Sequence, residues 1–111
     1  MSIGVVIYED NIFLRNSIAD LISTSNVFGL KGAFENCDHV SLDMETLKPD
    51  VVLMDIEMSG TNGLQGLQII KKKYPKVHVI MLTVFEDNDS VFEAIQAGAS
   101  GYLLKSGHHR A

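Results

Sequence analysis

The sequence predicts an α/β protein built on a doubly wound, five-stranded parallel sheet. Two observations carry this. Short apolar runs recur around residues 3–8, 28–34, 51–54, 77–82 and 100–104, and stretches with helical apolar spacing separate them. Regular alternation of this kind calls for parallel strands, right-handed crossovers and helices on both faces. The length of 111 residues suits one such domain with a real core.

The elements follow in order. Ile3 to Tyr8 is a β-branched run, read as a strand buried on both faces. Leu14, Ile18, Leu21 and Ser25 then recur at helical spacing, with Ile22 widening the stripe and Asp10 or Asn11 as the N-cap. Phe28 to Phe34 is a weaker strand interrupted by Gly29 and Gly32, which suits an edge. Val40, Met44 and Leu47 mark a short helix entered from Asn36 or Asp38 and broken at Lys48-Pro49. Val51-Val52-Leu53-Met54 is a continuous apolar run ending on Asp55, the best central strand. A loop from Glu57 to Asn62 leads to a helix with Leu64, Leu67, Ile70 and Tyr74 on one face, stopped by Pro75. Val77 to Leu82 is the fourth strand and ends on Thr83. Asp87 to Ala97 is the fourth helix, with Val91, Ala94 and Ile95 inward and Gly98 as C-cap. Ser100 to Leu104 is the last strand and ends on Lys105.

Composition narrows the function classes. Hydrophobic residues make up 46% and charged residues 21%, which is ordinary globular usage and excludes disorder. The net charge of -5 argues against nucleic acid or an anionic membrane as a ligand of this chain itself. The single cysteine, Cys37, excludes a disulfide framework and a cysteine zinc site; it reads as a small buried hydrophobe in a reducing compartment. No run approaches the roughly 18–20 apolar residues of a membrane span, and Met1-Ser2-Ile3-Gly4 lacks the basic start of a signal peptide. Residues 107–111, with His108 and His109, read as a linker stub or cloning remnant rather than a metal site.

In doubly wound sheets the ligand site lies beyond the carboxyl ends of the strands. Those ends carry Glu9-Asp10, Asp55, Thr83 and Lys105. Polar residues commonly end strands, which accounts for any one of these alone. It does not account for the set, because like charges brought together raise each other's pKa and cost stability. Carboxylates are hard oxygen ligands suited to Mg²⁺. A carboxylate also attacks phosphorus to form an aspartyl phosphate, while an ammonium and a hydroxyl hold the transferred phosphoryl oxygens. The inventory therefore points to Mg²⁺-assisted phosphoryl transfer onto one aspartate.

On these residues the chain resembles the receiver domain of two-component response regulators. The matching stretches are Glu9-Asp10, Val51 to Met58 around Asp55, Val79 to Thr83, Ala94 to Tyr102, and Gly101-Tyr102-Leu103-Leu104-Lys105. They span residues 3–106, so residues 1–106 are expected to form the receiver. The Leu103-Leu104-Lys105-Ser106 ending resembles regulators with a helix-turn-helix output domain of the LuxR/NarL type. The resemblance implies a flavodoxin-like strand order, 2-1-3-4-5. It implies Asp55 as phosphoacceptor from the phosphohistidine of a sensor histidine kinase, in the cytoplasm. Mg²⁺ is then held by Asp10, Glu9 and Asp55 and by the backbone carbonyl of Glu57. Lys105 and Thr83 contact the phosphoryl group, and Thr83 and Tyr102 form the switch. Such a chain is not an enzyme in the usual sense, although its acyl phosphate hydrolyses slowly by itself. The fourth helix and fifth strand form the expected dimer or partner surface, and transcription is the expected output through a DNA-binding domain outside this chain. A stand-alone receiver acting by protein docking is the alternative.

Three departures from the family pattern stand out. Met58-Ser59-Gly60 lacks the proline common in the loop after the acceptor. Ser106 stands where a cis proline often follows the lysine. A fifth helix normally closes the fold, and nothing after Ser106 is long enough to form one. If the molecule ends at Ala111, the exposed sheet face is expected to drive self-association or element exchange with a neighbour.

Other readings fit less well. Asp55-Ile56-Glu57 superficially matches a haloacid-dehalogenase-like phosphatase, but the acidic pair precedes the acceptor and the chain is too short for a cap. A flavodoxin-like FMN carrier needs a Ser/Thr/Gly-rich phosphate loop where this chain has Glu9-Asp10. A degenerate receiver used only for docking does not explain why every reacting position is filled. Gly60, Gly63 and Gly66 match no phosphate-loop spacing and read as turn and helix-start glycines. His78 reads as a core or edge residue, His39 as solvated, and Lys71-Lys72-Lys73 as a charged helix end.

Overall fold

The computed structural model describes residues 2–58, 62–84 and 89–105. Among them the elements run β1 (Ile3–Tyr8), α1 (Ile12–Ser23), β2 (Phe28–Phe34), α2 (Val40–Leu47), β3 (Val51–Asp55), α3 (Gly63–Lys73), β4 (His78–Thr83), α4 (Asp89–Gln96) and β5 (Gly101–Leu104). The strands form one parallel sheet in the order β2-β1-β3-β4-β5. The alternation read from the sequence is therefore the architecture of the chain, and β2 is an edge strand as its glycines indicate. Lys31 is the extra residue of a bulge in β2, since Val5 faces Leu30 and Val6 faces Gly32.

The two faces of the sheet are covered unequally. On one face Val6, Tyr8, Val52, Met54, Val79 and Met81 pack with residues of α2, α3 and α4 into a closed core. Burial and the neighbouring Asp43, whose Oδ2 accepts the Tyr8 hydroxyl at 2.8 Å, raise the Tyr8 pKa well above its ordinary value. On the other face α1 contains no buried residue. Val5, Ile22, Phe28, Val51, Leu53, Ile80 and Leu103 line an open apolar groove of about 220 Å³ there.

Two readings of helical stripes are corrected. Leu21, expected inward, is 72% exposed, because among the described residues nothing lies over that flank of α1. Ile95, also expected inward, is 44% exposed, while Val91 and Ala94 on the same helix are buried. Tyr74 is not part of the α3 stripe but its half-buried C-cap. Ser25 falls beyond α1 and accepts from Val27 N–H and Phe28 N–H, shaping the turn into β2.

Caps explain most boundaries. Asn11 starts α1, with Oδ1 accepting from Phe13 N–H and Leu14 N–H. Asn62 and Gln65 form a capping box at α3. The expectation for α2 is corrected: His39 is its N-cap and makes no side-chain cap bond, while Asn36 closes a local turn onto Asp38 N–H. His39 is exposed, and His78 opens β4 at the surface with Nδ1 3.0 Å from Ser100 Oγ. Lys71 donates to the carbonyls of Pro75 and Val77, both at 2.9 Å. Ser59, Gly60, Phe85, Asp87, Ser106 and residues 107–111 lie outside the described residues.

Lys48 ends α2 in a left-handed conformation, at φ 48° and ψ 57°. A non-glycine residue there carries a steric cost that glycine avoids. Lys48→Gly is expected to stabilise the fold by about 0.5–1 kcal/mol, read from a higher urea midpoint at unchanged m-value.

Candidate functional site

The carboxyl ends of β1, β3, β4 and β5 converge. Glu9 directly follows β1 and is fully buried, and Asp55 closes β3 at 1% exposure. Thr83 closes β4 and is also buried. Lys105 directly follows β5, held to β4 by its N–H donating to Thr83 O at 2.7 Å. Its Nζ reaches back across the sheet edge to lie 2.8 Å from Asp55 Oδ1 and 3.0 Å from Glu9 Oε1. Asp10 sits exposed at the rim. Glu9, Asp10 and Asp55 each offer a carboxylate oxygen within 4.8 Å of the others.

The backbone around Asp55 is packed from below. Glu57 N–H donates to Asp55 Oδ1 at 3.2 Å, and Ile56 N–H donates to Leu82 O at 3.1 Å. Gly63, the first residue of α3, donates to Ile56 O at 3.1 Å. A Cβ on Gly63 would lie 2.0 Å from the Asp55 carbonyl oxygen, so only glycine lets α3 start against the backbone of that aspartate. Gly66, one turn on, similarly faces Met54 and Cys37. Burial pushes the Cys37 thiol up to about 11, so it is an inert packing group at neutral pH. Above Asp55 a cleft of about 460 Å³ opens between Asp10, Glu57, Met58, Asn62, Leu64 and Ser90.

The charges do not balance. Two buried carboxylates share one ammonium, with Asp10 adding a further negative charge at the rim. Burial is the largest influence on Asp55, and with the nearby Glu9 carboxylate it outweighs the Lys105 contact and raises the Asp55 pKa to about 7. Burial disfavours the Lys105 ammonium, but the hydrogen bonds and charges of Asp55 and Glu9 overcome this and raise its pKa. Asp55 Oδ2 is buried with no hydrogen-bond partner. Glu9 Oε1 lies at ion-pair distance from Lys105 yet receives no well-directed hydrogen bond. Buried carboxylate oxygens left without donors, beside a third carboxylate at 4.8 Å or less, are the donor set a hard divalent cation takes. The residues present therefore fit Mg²⁺.

The structure thus gathers Glu9, Asp10, Asp55, Thr83 and Lys105, as the strand-end argument requires. Glu57 lines the cleft with its side chain exposed. Tyr102 stands apart on the surface of β5, 41% exposed. Sequence reasoning missed two contributors: Gly63, taken only as a helix-start glycine, and Arg15, whose Nη1 donates to Glu9 O at 2.7 Å. A glycine directly after an Asn N-cap is the one local signal for Gly63. Nothing in the sequence singles out Arg15.

A doubly wound sheet with an acidic pair after β1, a buried aspartate ending β3 and a lysine after β5 defines a class of phosphoacceptor signalling domain. The chain belongs to the response regulator receiver domain family, whose model matches residues 5–111. It is 37% identical over 103 residues to the transcriptional regulatory protein LnrK of Bacillus subtilis, covering 93% of this chain and 47% of that protein. A DNA-binding response regulator of the LuxR family from Staphylococcus aureus superposes with a TM-score of 0.83 at 32% identity, covering 98% of this chain and 88% of that one. The response regulator domain of Thermotoga maritima CheB superposes with a TM-score of 0.89 at 30% identity, covering 100% and 84%. Several of the relatives, LnrK among them, are LuxR/NarL-type response regulators, and the chain spans about half the length of the curated relatives it matches.

The raised Asp55 pKa predicts a pH dependence. Between the ordinary carboxylate value near 4 and about 7, the folded state keeps a proton that the unfolded chain has released. Stability from this group is therefore full at the acidic end and lost as pH rises through about 7. Urea unfolding in EDTA is expected to show that decline in the wild type and to lack most of it in Asp55→Asn.

Proposed function

We propose that this chain is the phosphoacceptor receiver of a two-component response regulator, and that Asp55 takes the phosphoryl group from the phosphohistidine of a sensor histidine kinase. The observation that carries the reading is the buried Asp55 carboxylate, with Lys105 on Oδ1, no donor on Oδ2, and Glu9 and Asp10 beside it. In the transfer, an Asp55 oxygen attacks phosphorus, the nitrogen–phosphorus bond breaks, and the imidazole leaves with that electron pair. Glu9, Asp10, Asp55 and the Glu57 carbonyl would hold Mg²⁺, which would supply positive charge against the phosphoryl oxygens. Lys105 shifts its ammonium from Asp55 Oδ1 to a phosphoryl oxygen, and the Thr83 hydroxyl donates to another. Tyr102 then turns inward from its exposed position as Thr83 moves. Water reaching the acyl phosphate through the cleft hydrolyses it slowly.

The output follows from surface chemistry and kinship. Phe92 and Ile95 of α4 and Tyr102 and Leu104 of β5 are exposed apolar groups, suited to a homodimer or partner contact. Kinship with transcriptional regulators supports control of transcription in the cytoplasm, through a DNA-binding domain beyond residues 1–106. No helix among the described residues is long and apolar enough to cross a membrane.

Incubation with acetyl phosphate and Mg²⁺ is expected to add one phosphoryl group by intact mass. Asp55→Asn is expected to abolish the addition, and label persisting in that variant moves the acceptor elsewhere. Sedimentation with beryllofluoride and Mg²⁺ is expected to show a dimer that Phe92→Arg disrupts. A dimer indifferent to Phe92→Arg instead places the contact on the open face of Leu53, Ile80 and Leu103.

A further inference from the structure

Glu9 is held from several directions. Its N–H donates to Phe34 O at 2.9 Å, Oε2 accepts from Asn11 N–H at 3.0 Å, and Oε1 lies 3.0 Å from Lys105 Nζ. Its carbonyl is a different case. Pairing between β1 and β2 ends at Tyr8 and Phe34, so a side chain supplies the donor: Arg15 Nη1, at 2.7 Å. A guanidinium hydrogen bond to a carbonyl is charge-assisted and stronger than a neutral backbone hydrogen bond. Among the described residues no carboxylate lies within ion-pair distance of Arg15, so the charged group is spent on this one backbone contact. Arg15 shares the lining of an open cleft with Glu35, Asp38 and Asp43.

The Glu9 carbonyl belongs to the peptide unit that joins Glu9 to Asp10. Fixing that plane fixes the position of the Asp10 Cα, from which its side chain departs. Asp10 needs this, because it is exposed and, among the described residues, no side-chain hydrogen bond holds its carboxylate. Besides Arg15, the start of α1 holds the turn only through Asn11 N–H on Glu9 Oε2, and α1 contains no fully buried residue.

We propose that Arg15 is a positioning residue of the divalent-cation site, orienting the Glu9–Asp10 turn so that both carboxylates face Asp55. The inference rests on the cation reading given above and adds to it the residue that sets the geometry of the acidic pair. Arg15 touches neither the cation nor the phosphoryl group.

The test is Mg²⁺ binding to the full chain by calorimetric titration, beside thermal unfolding in EDTA. Arg15→Met is expected to weaken Mg²⁺ binding by about tenfold with an unchanged far-UV spectrum. Arg15→Lys, which keeps the charge and one donor, is expected to recover part of that loss. Should Arg15→Met not fold, Arg15→Lys carries the comparison with the wild type. A purely structural role lowers the melting temperature in EDTA but leaves the Mg²⁺ dissociation constant at the wild-type value, and that result overturns the proposal. A wild type that binds no Mg²⁺ overturns the cation reading itself, and is told apart because it fails before any substitution is made.

Discussion

The Lys105 ammonium between two buried carboxylates is the interaction on which the arrangement of the strand ends depends. Glu9 and Asp55 follow neighbouring strands and are both out of water. Without an internal cation their mutual repulsion and desolvation would open the edge of the sheet. Lys105 is brought in from the far edge strand, across β4, by the hydrogen bond of its own N–H to Thr83 O. One positive charge does not satisfy two negative ones, and the remaining deficit appears as the raised pKa of Asp55 and its undonated Oδ2. Burying ions rarely gains stability by itself. A site that keeps this imbalance is disposed to bind another cation.

The surroundings divide into a rigid half and a loosely held half. Asp55 leaves a strand that packs on the closed core, and α3 begins directly against its carbonyl at Gly63. Met54, Leu67 and Ile70 are fully buried beneath it, so displacing the acceptor means disturbing dense packing. Tyr102 belongs to β5, an edge strand whose residues 102–104 are all exposed, and Lys105 directly follows it. Asp55 is thus held by dense packing, while Tyr102 stands at the exposed margin of the sheet.

This division also explains what the sequence reveals. The strand ends are legible because an apolar run that stops on a charged residue marks both a buried element and the point where it meets the site. Asp55 after Val51-Val52-Leu53-Met54 is the clearest instance. Helical stripes are less informative, because periodicity shows which residues share a face but not whether another element covers it. Leu21 and Ile95 fall on apolar stripes and remain exposed for that reason. Gly63 and Arg15 are harder still. Their roles come from backbone contacts to Asp55 and Glu9 that exist only once the sheet has formed, and a local sequence window carries at most the glycine after the Asn62 N-cap.

A phosphoryl group on Asp55 would add nearly two negative charges to a pocket already short of positive charge. A divalent cation at the acidic trio would offset part of that load, and the Lys105 ammonium is the positive charge already in contact with Asp55. Its ammonium cannot follow the phosphoryl oxygens while keeping both present contacts, so the Glu9 and Asp55 pairs must loosen together. Lys105 and Thr83 are tied through their backbones at 2.7 Å, so a shift in one is felt by the other across the β4–β5 pair. Tyr102 lies in β5 three residues before Lys105 and pairs with Met81 in β4. The charge imbalance at the carboxylates and the exposed apolar surface of α4 and β5 are therefore joined by one pair of strands. A change of charge at one end has a direct structural route to the other.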